Sequence, residues 1–238
     1  MIETLTTTVP SKTGGDSTMS VYLARPKGFA GPRPAVLVLH HKGGVDDFTR
    51  DRVTRLAEAG YLAAAPDFFH RTAGGDPDGH GKAMLDTQII ADAVAALETV
   101  KAATPVREEA CATLGHCMGG RMSFLIASAH PVFAAAVVYY GGYMFGSRGE
   151  GPTPFDRLSG LRCPVAGFFG NDDTNPSPDD VERIDAELTR LGVRHTFHRY
   201  DGAAHAFQNF LNPVSHREAQ ARDAWGKTLS FLAAELKP

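Results

Sequence analysis

The feature that most constrains this chain is a set of short apolar runs that do not alternate. Pro34-Ala-Val-Leu-Val-Leu-His40 and Tyr61-Leu-Ala-Ala-Ala65 carry apolar side chains on consecutive residues, as do residues 133–140 and 164–170. Neighbouring strand residues face opposite sides of a sheet, so such a run must be buried on both faces. That is the signature of a parallel sheet sandwiched by helices. Helical segments are expected between the runs: residues 49–59, ended by Gly60; residues 84–100; residues 179–191, ended by Gly192; and residues 214–236. In the second of these Ile89, Ile90, Ala93, Val94, Leu97 and Val100 recur on one helical face. Strands at 4–9 and 19–24 flank turn chemistry at 12–16, and 195–200 alternates as a last strand. The pattern predicts an α/β fold, a mostly parallel central sheet with helices on both faces, as one domain spanning residues 1–238.

One junction carries more than structure. Ala110 to Met122 reads as an apolar strand, a tight turn and the start of a helix, and the turn is Gly115-His-Cys-Met-Gly119. G-x-C-x-G is the nucleophile-elbow pattern with Cys in place of Ser. The nucleophile sits on a strained turn, so the residues two before and two after it must be small. The turn holds Cys117 over a helix N-terminus, whose free N–H groups and partial positive charge favour a thiolate. The Met118 backbone N–H is then a candidate oxyanion donor. A pentapeptide alone arises by chance, and cysteine is often a small buried hydrophobe. The downstream residues shift the balance, because an acid and then a histidine follow in the α/β-hydrolase order.

The base is His205, in the small-residue loop Asp201-Gly-Ala-Ala-His205 just after the last strand. Sites in open α/β sheets form at that edge. The acid lies in Gly170-Asn-Asp-Asp-Thr-Asn-Pro-Ser177. Asp173, three residues after the glycine that ends the strand, is preferred; Asp172, whose spacing to Pro176 suits it, is the alternative. Cys111 and Cys163 read as core. Phe68, Phe69 and Tyr140 read as packing beside the sheet before they read as pocket lining. His40, His41, His70 and His80 lack the i, i+4 spacing or carboxylate partners of a metal site, and no metal is expected. The irregular stretches 66–83 and 143–160 are expected to wall the pocket.

These pieces together resemble the dienelactone hydrolase family, the carboxymethylenebutenolidases. The matching stretches are residues 34–45, Pro66-Asp67, Gly115-His-Cys-Met-Gly-Gly120, Tyr139-Tyr-Gly141, Gly170-Asn-Asp-Asp173 with Pro176, and Gly202-Ala-Ala-His205. They come in the family's order and run through nearly the whole chain. The resemblance implies a Cys117, Asp173, His205 triad, an oxyanion hole from the backbone N–H groups of Met118 and Lys42, and hydrolysis of an unsaturated lactone without a cofactor. Two departures stand out. The family typically carries a Glu near the resting cysteine, and His41 stands there. The member acting on dienelactone has an arginine four residues after the histidine, and Asn209 stands there. Arg71 and Arg121 are the candidates to replace it.

Composition narrows the rest. The chain has 238 residues, 43% of them apolar, enough for a full core in one domain. A net charge of −3 gives no footprint for nucleic acid or an anionic membrane. No apolar run approaches the ~18 residues of a membrane span. The N-terminal stretch lacks the basic start and apolar core of an export signal, and three cysteines without C-x-x-C spacing suit a reducing compartment, so the cytoplasm is expected. The expected partner is a small ester or lactone, and the expected state a monomer or small homo-oligomer. The rival readings are an esterase or thioesterase with no lactone role, and a relative that only binds a ligand or senses redox state through Cys117.

Overall fold

The computed structural model describes residues 1–9, 16–28, 31–72, 79–80 and 83–238. Among them, eight strands form one sheet: β1 Ile2–Val9, β2 Ser17–Ala24, β3 Arg33–Leu39, β4 Leu62–Pro66, β5 Val106–His116, β6 Phe133–Tyr139, β7 Val165–Gly170 and β8 His195–Tyr200. Their order across the sheet is β1-β2-β4-β3-β5-β6-β7-β8. β4 through β8 pair in parallel, and β1 and β2 add an antiparallel edge. The expected turn at 12–16 falls, for residues 12–15, outside the described residues, as do 73–78, 81 and 82 of the stretch 66–83.

Among the described residues the long α-helices are α1 Asp47–Glu58, α2 Asp86–Ala103, α3 Met118–Ala129, α4 Pro178–Arg190 and α5 Glu218–Leu236. Strand side chains alternate between two cores. Val36, Val38, Leu114, Val137 and Phe168 pack with Leu56 of α1 and Trp225 and Leu232 of α5. Leu37, Leu39, Val138, Val165 and Phe169 pack with Ile89 and Leu97 of α2, Leu125 of α3 and Ile184 of α4. Two covered faces explain why the central strands carry no polar alternation. β1, at the edge, does alternate, with every second residue exposed through most of its length.

Local chemistry sets the helix starts. Asp46 caps α1 by accepting from the Thr49 N–H at 3.0 Å. Ser177 and Asp180 form a capping box on α4, with Pro178 in its first turn. The last helix begins at Glu218 rather than 214. Arg217 closes the preceding turns by donating to the carbonyls of Gly202, Val214 and His216, and that geometry is not helical. Because β3 and β5 to β8 run in parallel, their C-terminal ends gather at one edge, and the functional side chains gather with them.

Candidate active site

Cys117 stands between β5 and α3 with φ 56° and ψ −117°, a conformation that costs a non-glycine residue free energy. The turn is possible because nothing projects from its flanks. A β-carbon on Gly119 would meet the Leu39 carbonyl oxygen at 1.9 Å. Across the sheet edge, the Cys117 sulfur lies 2.9 Å from His205 Nε2. His205 Nδ1–H donates to Asp173 Oδ2 at 2.8 Å, and the Asn175 N–H donates to the other Asp173 oxygen at 2.9 Å. Asp173 is buried and Asp172 is exposed, its own N–H spent on the Ala203 carbonyl at 3.0 Å. Of the two candidate acids, the fold brings Asp173 to the histidine.

The electrostatics follow from this geometry. Burial disfavours a charged His205, but its bond to Asp173 and its contact with Cys117 outweigh that and push it up to about 10. Burial likewise opposes a thiolate at Cys117, yet the bond to His205, its charge and the Met118 backbone N–H carry the thiol below its ordinary range. Both shifts favour a thiolate–imidazolium pair, and the two groups titrate as a unit.

A cavity of about 540 Å³ opens above the sulfur, within the range of small-molecule sites. It is lined by His41, Lys42 and Phe48, by Tyr140 and His205 beside Cys117, and by Asn209, Asn212 and Ser215. His41 turns its Nε2 to Asp46 Oδ2 at 2.8 Å and sets its ring edge-on to Phe48. Gly43 permits this, since a β-carbon there would meet His41 Cε1 at 2.6 Å.

The expectation of a wall from 143–160 is corrected, and that from 66–83 is corrected for its described residues, with 73–78, 81 and 82 lying outside them. No described lining residue comes from 66–83 or 143–160. The second stretch is tied inward: Arg121 makes a buried bidentate pair with Asp86 at 2.6 and 2.9 Å and also donates to the carbonyls of Tyr143 and Gly146. Arg121 is therefore occupied, and Arg71 bonds Asp92 at 2.6 Å; neither lines the cavity. Phe68 is core, and Phe69 packs on His40 and His80. Cys111 and Cys163 are buried, as expected. His70 lies between Ser17 and Asp92, and His80 bonds Thr72.

The wall at 206–215 went unread in the sequence, apart from Asn209. The available signal was the spacing of Asn209, Asn212 and Ser215, three polar residues set among apolar ones soon after the candidate base. Its root is Gln208, buried, whose Oε1 accepts from His116 Nε2 and from Arg52, each at 3.2 Å, while its amide donates to the Ala221 carbonyl.

A parallel sheet with helices on both faces and a nucleophile elbow at its C-terminal edge defines a hydrolase of the α/β-hydrolase fold. The dienelactone hydrolase family profile matches residues 19–236, and the chain belongs to that family. A Salmonella typhimurium protein provisionally named a carboxymethylenebutenolidase is 33% identical over 240 residues, covering 95% of this chain and 86% of its own. A Synechocystis protein of the same provisional name is 31% identical, covering 99% and 98%. The crystal structure of a Klebsiella pneumoniae protein, provisionally titled a dienelactone hydrolase, superposes with a TM-score of 0.85 at 31% identity, covering 98% of this chain and 99% of its own.

Proposed function

We propose that this chain is a cysteine-dependent hydrolase of lactones or small carboxylic esters, with Cys117 as nucleophile, His205 as base and Asp173 as its orienting acid. The observation that carries the reading is the hydrogen-bonded chain Cys117–His205–Asp173 at the floor of the cavity. The Cys117 thiolate attacks the carbonyl carbon, and the carbonyl π pair moves onto oxygen. The backbone N–H groups of Met118 and Lys42 receive that oxyanion. Collapse expels the alkoxide, which takes the His205 proton. For a lactone the alkoxide stays tethered to the acyl group. Water then attacks the thioester as His205 removes its proton, and the thiolate leaves to restore the ion pair. His41 lines the same cavity without a negative charge, so nothing at that position opposes the thiolate.

The test is turnover of an unsaturated lactone and of a chromogenic acetate ester by wild type and by Cys117→Ala. Loss of both in the variant, with the fold kept, supports the mechanism. Retained turnover would sink it.

A further inference from the structure

We propose that His40 is a positioning residue for the oxyanion-binding peptide, an inference that rests on the reading of Lys42 as an oxyanion donor. The His41 carbonyl and the Lys42 N–H belong to one peptide unit. That unit is planar and trans, so its C=O and N–H point in opposite directions. Whatever holds the His41 oxygen therefore aims the Lys42 N–H.

Two groups hold it. His40 Nδ1 lies 2.7 Å from the His41 oxygen, and the Gly44 N–H donates to the same oxygen at 3.0 Å. The tautomer of His40 follows from its other side. The Phe68 backbone N–H points at Nε2 at 3.1 Å and has only a proton to give, so Nε2 must accept. The ring proton then sits on Nδ1 and is donated to the His41 carbonyl. The ring is 1% exposed and wedged against Phe68 and Phe69, with centroids 5.6 and 4.6 Å away. Burial pushes its pKa down to about 4, which keeps the ring in this neutral bridging form.

The rest of the loop is already held. The end of β3 is pressed on the elbow, where a β-carbon on Gly119 would meet the Leu39 and His40 carbonyl oxygens at 1.9 and 2.9 Å. The Gly44 bond puts one tether on the 41–42 peptide plane, and the His40 bond adds a second. A carbonyl that accepts two hydrogen bonds also polarises its own amide, making the N–H a stronger donor.

Two variants separate the ring's two bonds. His40→Asn keeps an amide donor where Nδ1 stood and loses the Phe68 acceptor. His40→Gln puts an amide oxygen where Nε2 stood and loses the donor. Removing an oxyanion donor outright costs ~100- to 1000-fold in kcat. A misaimed donor should cost His40→Gln about 10- to 100-fold in kcat with KM nearly unchanged, and His40→Asn should stay within about 5-fold of wild type. The second readout is Cys117 alkylation by iodoacetamide against pH. Displacement at a saturated carbon develops no carbonyl oxyanion, so both variants should keep the wild-type profile. Equal kcat in the two variants would overturn the inference. So would an alkylation profile that shifts along with kcat, because the lesion would then lie in the Cys117–His205 pair. Turnover that survives Cys117→Ala would remove the nucleophile itself and the inference with it, an outcome distinct from the other two.

Discussion

Gly115 and Gly119 face each other across the elbow so closely that a β-carbon on Gly115 would lie 1.8 Å from the Gly119 carbonyl oxygen. That oxygen is backbone at the start of α3 and cannot turn aside as a flexible side chain could. The contact is what keeps Cys117 in its strained conformation at the strand end. Gly115→Ala must push α3 away from β5. The expected cost is about 3 kcal/mol, a fall in Tm of roughly 6–12 °C for a chain of this size. Turnover should fall further than stability explains, because the sulfur moves relative to His205. A calorimetric Tm within a degree of wild type would contradict this.

The adjacent aspartates should separate cleanly. Asp173→Asn removes the carboxylate that orients His205 and should lower kcat by about 100- to 10,000-fold. Asp172→Asn alters an exposed side chain and should stay within about 2-fold of wild type. Steady-state kinetics on both variants decides the matter; the reverse pattern would move the role to Asp172.

The raised pKa of His205 has a signed consequence for stability. A group held above its ordinary 6.5 stabilises the fold fully below that pH and loses the contribution as pH rises through about 10. Cys117 works the other way, because its thiol is held below its ordinary 9.0. Between pH 6.5 and 9 the folded pair and the unfolded chain each carry one proton, so the fall in wild-type Tm relative to Asp173→Asn, which lacks the carboxylate partner, should be confined to about pH 9 to 10. Parallel curves for the two proteins would show that the pair adds nothing to stability.

His41 can be tested by putting a carboxylate in its place. His41→Glu should move the alkylation midpoint of Cys117 to higher pH and slow inactivation at neutral pH. It also sets a second carboxylate against Asp46, which accepts from His41 at 2.8 Å, so a modest loss of stability should accompany it. Coincident alkylation profiles would exclude His41 from setting the charge state of the thiol.

Much of the architecture was legible because burial on two faces leaves a plain trace. Val36 to Leu39 could not be a half-solvated strand, and the fold shows both of its faces covered. The elbow was legible because its glycines obey a steric rule that acts within five residues. Asp172 and Asp173 were harder. They are adjacent, and only the path of the chain after β7 decides which one turns inward. The cavity walls were legible only at His41, Lys42 and Asn209. Residues 143–160 are irregular in sequence, but their direction depends on Arg121 and Asp86, 35 residues apart, forming a buried pair beneath them. The orientation of His41 was equally hidden, since it depends on the bare Gly43 and on Asp46 at a helix cap.

The anchoring of Gln208 has a consequence for how this scaffold can change. His205 and the wall residues Asn209, Asn212 and Ser215 lie on one short segment, which would ordinarily couple substrate choice to the placement of the base. Gln208 interrupts that coupling, because its side chain is tethered to β5, α1 and α5 at once. Positions beyond it are free to be resurfaced while the imidazole stays in register with the sulfur. Substitution of Asn212 should accordingly change KM among esters and leave the alkylation rate of Cys117 untouched. Within this segment a single glutamine thus stands between the base on one side and the polar wall residues on the other.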